Sequence, residues 1–560
     1  MDHQNEQNLI SVIIGKTQGN PLYFTEILID QGYFFNLVPL KKIKKAIKKS
    51  KILVIYGPIT ISRKIEKKIT KFVENGGSLI IFGEVKGLED ILGCNYIPLG
   101  MHPYPIGGTL HNSIGEGYLQ FDENNNTDNP MKQSINNIIN RELSTDYFPL
   151  HGFGCLPVEL EDAIVIATYI PNSKPDRKYP AITVKKCGKG ISISFNPDVA
   201  KTVRHIQEGI YIDKDGIPPA DGRAPIDDGI LKCEDGLVLD WLKDRRTISK
   251  HKIDAFLVPV ADIWKTLVAK MIDFAADHAN AEIERIMHWP NGADFVMMIS
   301  HDTDGNNEKL ARGFLNEINS LDIKTTWCLI PPGYSSKLCE EIESFGHELA
   351  FHFDTQSYQI PNMFSFEVLK EQIEETLENT TLKQFYSNKN HYTRWEGRIE
   401  FFIWLEELGF KVDQSKGPSK CGTLGFPFGT AHPWLPMDKE GRIIECLEIG
   451  FQSQDLGLQG PKDTGKDIVD SVKKIRGVCH FIFHPAHFSN LDVRQELRNL
   501  VHYAKEQGAQ FMRSIDIGEW YFARRKYIQT NKNCAIDQVT LNKMILEKRN
   551  CVKNCWEKII

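Results

Sequence analysis

Apolar positions in this chain fall into two series of short runs, with helical periodicity between them. In the first series, Leu9–Ile14, Lys51–Tyr56 and Ser78–Phe82 are runs rich in β-branched and aromatic residues. Between them, Pro21–Gln31 reads as a helix ending at Gly32. Thr60–Asn75 spaces Ile61, Ile65, Ile69, Phe72 and Val73 on one helical face before Gly76 and Gly77. Strands buried on both faces and joined by amphipathic helices form a parallel, doubly wound sheet. Ala163–Tyr169, Ile182–Lys185 and Gly190–Phe195 predict β-structure that completes this domain. Val258–Arg285 places Ile263, Leu267, Met271 and Phe274 at helical spacing and reads as a helical connector.

The second series starts at Asp294. Strands are predicted at 295–300, 323–330, 347–353, 386–391, 409–413, 443–449, 478–484 and 510–513. Helices are predicted at 307–320, 334–345, 365–380, 395–408, 466–475 and 490–507. Seven or eight βα units in roughly 230 residues is the count of a (β/α) barrel, complete or slightly open. The expected organisation is an α/β domain with a β-rich part over 1–200, a linker and helical connector over 201–290, the barrel over 291–527 and a tail over 528–560.

Composition adds bounds rather than direction. The 560 residues are 41% hydrophobic and 25% charged, as in soluble globular proteins. A formal net charge of −6 gives no electrostatic case for nucleic acid. The polar, acidic start does not resemble a secretory leader, and no run is long and apolar enough to span a bilayer, so a cytoplasmic location is expected. The 12 cysteines are scattered. Cys551 and Cys555 lack a second pair for a zinc knuckle, so free thiols are expected. Asp213–Gly222 is acidic, but its glycine comes too early for a calcium loop, and an exposed loop is the better reading. No function is read for the tail after Gln529.

Candidate chemistry gathers at the ends of barrel strands, where such barrels place their sites. Asp302 and Asp304 follow the run Phe295–Ile299, two residues apart, as a metal ligand beside a general base would. His347 and His352 are an odd number of residues apart and face opposite sides of a strand. His352, at the strand end, is the ligand candidate, and His347 is structural. His391, Arg394 and Trp395 offer a ligand, an anion clamp and a stacking face, or equally a core histidine with an ion pair. His484 ends the penultimate strand as a general-acid candidate, with His487 a further candidate for substrate contact in the loop beyond. Gly425–Trp434 reads as a loop over the barrel mouth, with Trp434 a second face for a sugar ring.

Two resemblances follow from these residues. Val73–Gly77 with Leu79–Gly83 resembles glutamine-amidotransferase-like domains of flavodoxin-like topology, which carry a nucleophilic Cys on a turn after a strand. Here Gly57-Pro58-Ile59 follows the strand, so a non-catalytic structural or homo-oligomerisation domain is expected. Residues 294 to about 525 resemble polysaccharide deacetylases (NodB homology, carbohydrate esterase family 4). Ser300-His301-Asp302-Thr303-Asp304-Gly305 matches the family's Thr-Phe-Asp-Asp-Gly motif with one residue inserted. Gly346–His352 matches Gly-His-Glu-Ile-Gly-x-His, but the family's later His is replaced by Gln356. Asn390–Trp395 stands in place of Arg-Pro-Tyr, with Arg394 for its arginine, and Ile482-Phe483-His484 loosely matches Leu-x-His. The resemblance implies Asp302 as catalytic base, Asp304 and His352 as ligands of a divalent metal (Zn²⁺), and His484 as acid. His391 is the choice for the third ligand, with Asp354 and Gln356 as alternatives. The implied activity is removal of an N-acetyl or similar acyl group from an amino sugar or glycan. A metal-free glycan-binding or scaffold barrel, and an amidohydrolase acting on a small non-sugar amide, are the competing readings.

Overall fold

The computed structural model describes residues 8–15, 20–97, 114–121, 129–216, 229–248, 250, 252–355 and 363–559. Part of the acidic stretch Asp213–Gly222, and Gln356, lie outside the described residues.

The first series of runs forms one nine-stranded sheet. Its parallel part runs in the order Asn36–Leu37, Ile10–Ile14, Ile52–Tyr56, Ser78–Phe82, Gly190–Phe195. Ile52–Tyr56 and Ser78–Phe82 are buried at every position, which is why they read as unbroken apolar runs. The sheet continues antiparallel through Tyr179–Cys187, Ile164–Pro171, Ile114–Phe121 and Leu150–Cys155. The expected β-rich part is therefore an extension of the same sheet.

The helix Val260–His278 is buried along almost its whole length, more a core element than a connector. Its Ala275 carbonyl accepts from Ser78 Oγ, and Trp264 Nε1 donates to the His151 carbonyl at 2.6 Å, fixing it to the first sheet. The tail has a definite place too. Leu546–Asn550 pairs with Glu284–Ile286 and, as a hairpin, with Cys555–Lys558. Arg549 donates to both Asp277 carboxylate oxygens at 2.9 and 2.6 Å, and Trp556 Nε1 donates to Asp273 at 3.1 Å.

The second series forms a curled, all-parallel sheet. Around it run Leu447–Glu448, Val412–Asp413, Ser387–Asn390, Glu348–Phe353, Thr326–Leu329, Val296–Asp302, Val478–Ile482 and Ser453–Gln454, with Gln510–Phe511 beside the start of Val296–Asp302. The two ends of this order belong to one stretch of chain. Residues 447–454 pair with Val412–Asp413 at their start and with Val478–Ile482 at their end. One segment thus links the two edges of the curl, and the strand ends converge on a common mouth.

The connector contributes to that mouth. Isolated bridges join Ile212 to Gly397, Lys232 to Arg394 and Phe256 to Gly425, so these three points of the connector are stitched to the barrel's loops.

Candidate active site

The strand Val296–Asp302 is buried throughout and carries its last residue, Asp302, into the mouth. Gly305 and Asn306 then take left-handed conformations (φ 72° and 47°), and Asn306 Nδ2 donates to the Ile330 carbonyl at 3.0 Å. This turn aims Asp304 at the same space as Asp302.

Two imidazoles face Asp304. His352, 1% exposed, donates from Nδ1 to the Lys389 carbonyl at 3.0 Å, which leaves Nε2 3.3 Å from Asp304 Oδ1. His391 donates from Nδ1 to Asp354 at 3.0 Å, which leaves Nε2 3.5 Å from Asp304 Oδ2. Holding one ring nitrogen to free the other is how metal-binding histidines are oriented. Asp304 Oδ1 and His352 Nε2 are buried with no hydrogen-bond partner. Such orphans cost about 1–3 kcal/mol each. Ligands about 2.0–2.1 Å from a tetrahedral zinc stand roughly 3.3–3.4 Å apart. The orphaned atoms, their spacing and the N,N,O donor set all fit a divalent ion. Asp354, an alternative for the third ligand, instead orients His391.

Asp302 sits beside this group, 6% exposed. Lys389, 1% exposed, donates to Asp302 Oδ1 at 3.0 Å and to Ser300 Oγ, which also meets His480 Nε2 at 2.8 Å. Burial alone would raise the Asp302 carboxyl, but Lys389, then His352 and His484, outweigh it and hold it below the ordinary range.

His484 approaches from the opposite side, its Nε2 3.8 Å from Asp302 and 3.7 Å from Asp304. Its Nδ1 donates to Asp455 Oδ2 at 2.5 Å and its backbone N–H to Asp455 Oδ1 at 2.9 Å. His487 Nδ1 donates to the same Oδ2 at 2.9 Å. Burial pulls the His484 ring down, but Asp455, then Asp302 and Asp304, push it up to about 9. Asp455 is fully buried with φ +35°, a strained position for a non-glycine residue at the site.

These groups open onto a cavity of about 750 Å³ whose lining includes Asp302, Asp304, Lys389, His484 and His487. Lys232, Ile253 and Asp254 of the connector form part of its wall. The aromatic face in the cavity is Tyr392, 44% exposed. The two tryptophans expected as platforms are not there. Trp395 is 0% and Trp434 3% exposed, packed on Phe401 and Phe402 inside the fold. The aromatics of the Gly425–Trp434 segment turn inward and seal the barrel against the connector instead of covering the mouth. Arg394 is also displaced from its expected role. Its guanidinium pairs with Glu396 and does not line the cavity; the cation beside the carboxylates is Lys389.

Sequence reasoning therefore missed Lys389, Asp455 and Tyr392. Each had a signal. Lys389 lies in Ser387-Asn388-Lys389-Asn390, a strand of polar residues that is wholly buried. Asp455 follows a short strand, the position that singled out Asp302. Tyr392 adjoins His391.

A family model described as the second domain of GLMA-like proteins matches residues 1–90. No curated protein matches the chain. Among solved structures, the chain is similar to the β-galactosidase from Rahnella sp. R3 at 14% identity, over 34% of this chain and 28% of that one, with a TM-score of 0.25. This chain thus spans little more than a quarter of that enzyme. It is similar to a protein described as a polysaccharide deacetylase from Mycobacterium smegmatis at 15% identity, over 45% of this chain and 96% of that one, with a TM-score of 0.31. An allantoinase is similar at 15% identity, over 44% and 94%, with a TM-score of 0.31.

Proposed function

We propose that this chain is a metal-dependent amide hydrolase that removes an N-acetyl or similar acyl group from an amino sugar or glycan. One observation carries the reading: two buried, partnerless atoms, Asp304 Oδ1 and His352 Nε2, lie 3.3 Å apart beside a carboxylate held ionised by a lysine. Asp304, His352 and His391 are the residues that would hold the ion. A divalent ion of the zinc class supplies Lewis acidity toward a water and an amide carbonyl.

The remaining steps belong to the chain's own residues. Asp302, kept ionised and oriented by Lys389, takes a proton from the attacking water as its oxygen bonds to the acyl carbon. His484, kept protonated and oriented by Asp455, gives its Nε2 proton to the amine nitrogen as the carbon–nitrogen bond breaks. An amine is a poor leaving group without that proton, so the acid sets the fate of the intermediate. The cavity is of ordinary size for a small-ligand site. Tyr392 offers the exposed ring on which the apolar face of a pyranose packs.

The test is metal content by mass spectrometry for the wild type and His352→Ala, followed by acetate release from N-acetylglucosamine oligomers and from a non-sugar amide. The expected result is about one equivalent at this site that His352→Ala removes, with sugar amides preferred. Full acetate release by both Asp302→Asn and His484→Ala would refute the residue roles. No uptake of metal here would favour a metal-free glycan-binding barrel.

A further inference from the structure

A second group of ligand-type side chains lies at the seam between the first sheet's helices and the barrel. Asp30 ends the helix Asn20–Asp30, His288 follows the strand Glu284–Ile286, and His432 belongs to the long stretch between Asp413 and Leu447. One ligand atom from each lies within 4.8 Å of the others. We propose that Asp30, His288 and His432 form a second divalent-metal site, structural in role, which ties these three segments together.

The orientation of each side chain supports this. His432, 5% exposed, donates from Nε2 to the Ile475 carbonyl at 2.6 Å. Its Nδ1 then faces Asp30 Oδ1 at 3.7 Å, wider than a closed hydrogen bond. His288 stacks edge-on to His432, with ring centroids 4.8 Å apart, and its Nε2 is buried without a partner. The other Asp30 oxygen is occupied. Lys265 Nζ and Gln31 Nε2 meet Oδ2 at 3.0 and 3.1 Å, which orients the carboxylate and leaves Oδ1 toward the histidines.

The surrounding charge bears on this as well. Asp30 and Asp262 share the single ammonium of Lys265, the latter pair at 2.8 Å. Arg524 directs its donors at the backbone carbonyls of Ile29, Asp30, Ile286 and Met287 rather than at the Asp30 carboxylate. The Asp455–His484–His487 group makes a useful contrast. There both imidazoles donate to one carboxylate oxygen at 2.5 and 2.9 Å, closed hydrogen bonds that leave no gap for an ion. The 3.7 Å at Asp30 is wider than those closed bonds, as are the 3.3 and 3.5 Å of the Asp304 group. A carboxylate with two imidazoles suits zinc or a similar transition ion better than calcium or magnesium.

The experiment counts zinc in the full-length protein after chelation and equilibrium dialysis, with His352→Ala emptying the Asp304 site and Asp304→Asn as a second such background. We expect one equivalent to remain in either background and none once His432→Ala or His288→Gln is added, with circular dichroism confirming the fold. Zinc should raise the thermal midpoint of His352→Ala and leave that of His352→Ala/His432→Ala unmoved. The proposal is overturned if both backgrounds bind no zinc, or if the remaining equivalent survives both His432→Ala and His288→Gln. A wild type with a single equivalent that His352→Ala leaves in place would instead support this site and refute the metal in the proposed function.

Discussion

Asp455→Asn isolates the proton-donating half of the proposed reaction. In the native structure Asp455 Oδ1 accepts the His484 backbone N–H, while Oδ2 accepts Nδ1–H from both His484 and His487. An asparagine cannot serve both sides, because its amide nitrogen must face one set of donors. If it faces the imidazoles, His484 is driven to the tautomer whose proton sits on Nε2 and whose Nδ1 only accepts. The ring is then neutral, and its readiness to give up a proton is lost. General acids contribute about 10²- to 10⁴-fold, or roughly 3–5 kcal/mol of barrier. The expected loss in kcat for amide substrates is therefore at least about 100-fold. The pH profile gives a second readout. His484 is pushed up to about 9 with Asp455 the leading cause opposing burial, and its acid form is present below that value. Removing Asp455 lowers the pKa, so the falling alkaline limb moves to lower pH. p-Nitrophenyl acetate supplies the internal control, because its leaving group departs without a proton and its hydrolysis should fall far less. An amide kcat within threefold of wild type, with the alkaline limb unmoved, would refute the assignment of His484 as acid and Asp455 as its holder.

The other expectations are shorter. Lys389→Met removes the main group opposing burial at Asp302, so its pKa rises and the acid limb moves to higher pH; a pH–kcat profile with an unmoved acid limb would count against Lys389 as the group that keeps the base ionised. Tyr392→Ala should raise KM for N-acetylglucosamine oligomers about tenfold, near 1.4 kcal/mol, with kcat little changed, and steady-state kinetics beside the wild type decide it. Burial pulls the His391 ring down, but Asp304 and Asp354 push it up to about 9, so proton and metal compete for it and zinc affinity should weaken as pH falls, measurable by titration calorimetry. Arg549→Met removes the two-pronged pair to Asp277 but leaves Asp273 to Lys270 and Tyr33, and should cost about 1–3 kcal/mol in denaturant unfolding; a loss under about 0.5 kcal/mol would mean the tail hairpin adds little.

Sequence pattern located the framework strands that are buried on both faces. Ile52–Tyr56, Ser78–Phe82 and Val478–Ile482 are buried at every position, and their runs were plain. Ser453–Gln454 was missed because the polar end of the barrel interior offers no apolar run to mark a two-residue strand. The helix Ser514–Gln529 was missed for another reason. Ile517, Trp520, Arg524 and Ile528 are all buried, so an arginine interrupts the buried face on which helical periodicity depends. The tail was opaque because its hairpin is held by charge and stacking, Arg549 on Asp277 and Arg285 over Trp556, which no hydrophobic period records.

At the site, what sequence made visible were residues at ends of apolar strands; what it hid were their holders. Asp302, Asp304, His352, His391 and His484 stand on four segments, yet each has one atom turned to a shared space. That convergence depends on second groups that no motif contains. The Lys389 carbonyl turns His352, Asp354 turns His391, Asp455 turns His484, and Lys389 Nζ fixes Asp302. Lys389 alone does two of these tasks, with its carbonyl on one side of the strand ladder and its ammonium on the barrel's interior. The Gln356 that stands where the deacetylase motif has its later histidine is also intelligible under the proposed function. His391 lies at the end of the adjacent strand, with Phe353 and Asn390 paired across the ladder. That register sets His391 Nε2 3.5 Å from Asp304, so under the proposed function the third ligand comes from the neighbouring strand. Trp395 shows the converse. It lies four residues from His391, but the chain has left the strand end by then, and the ring that looked like a platform is core.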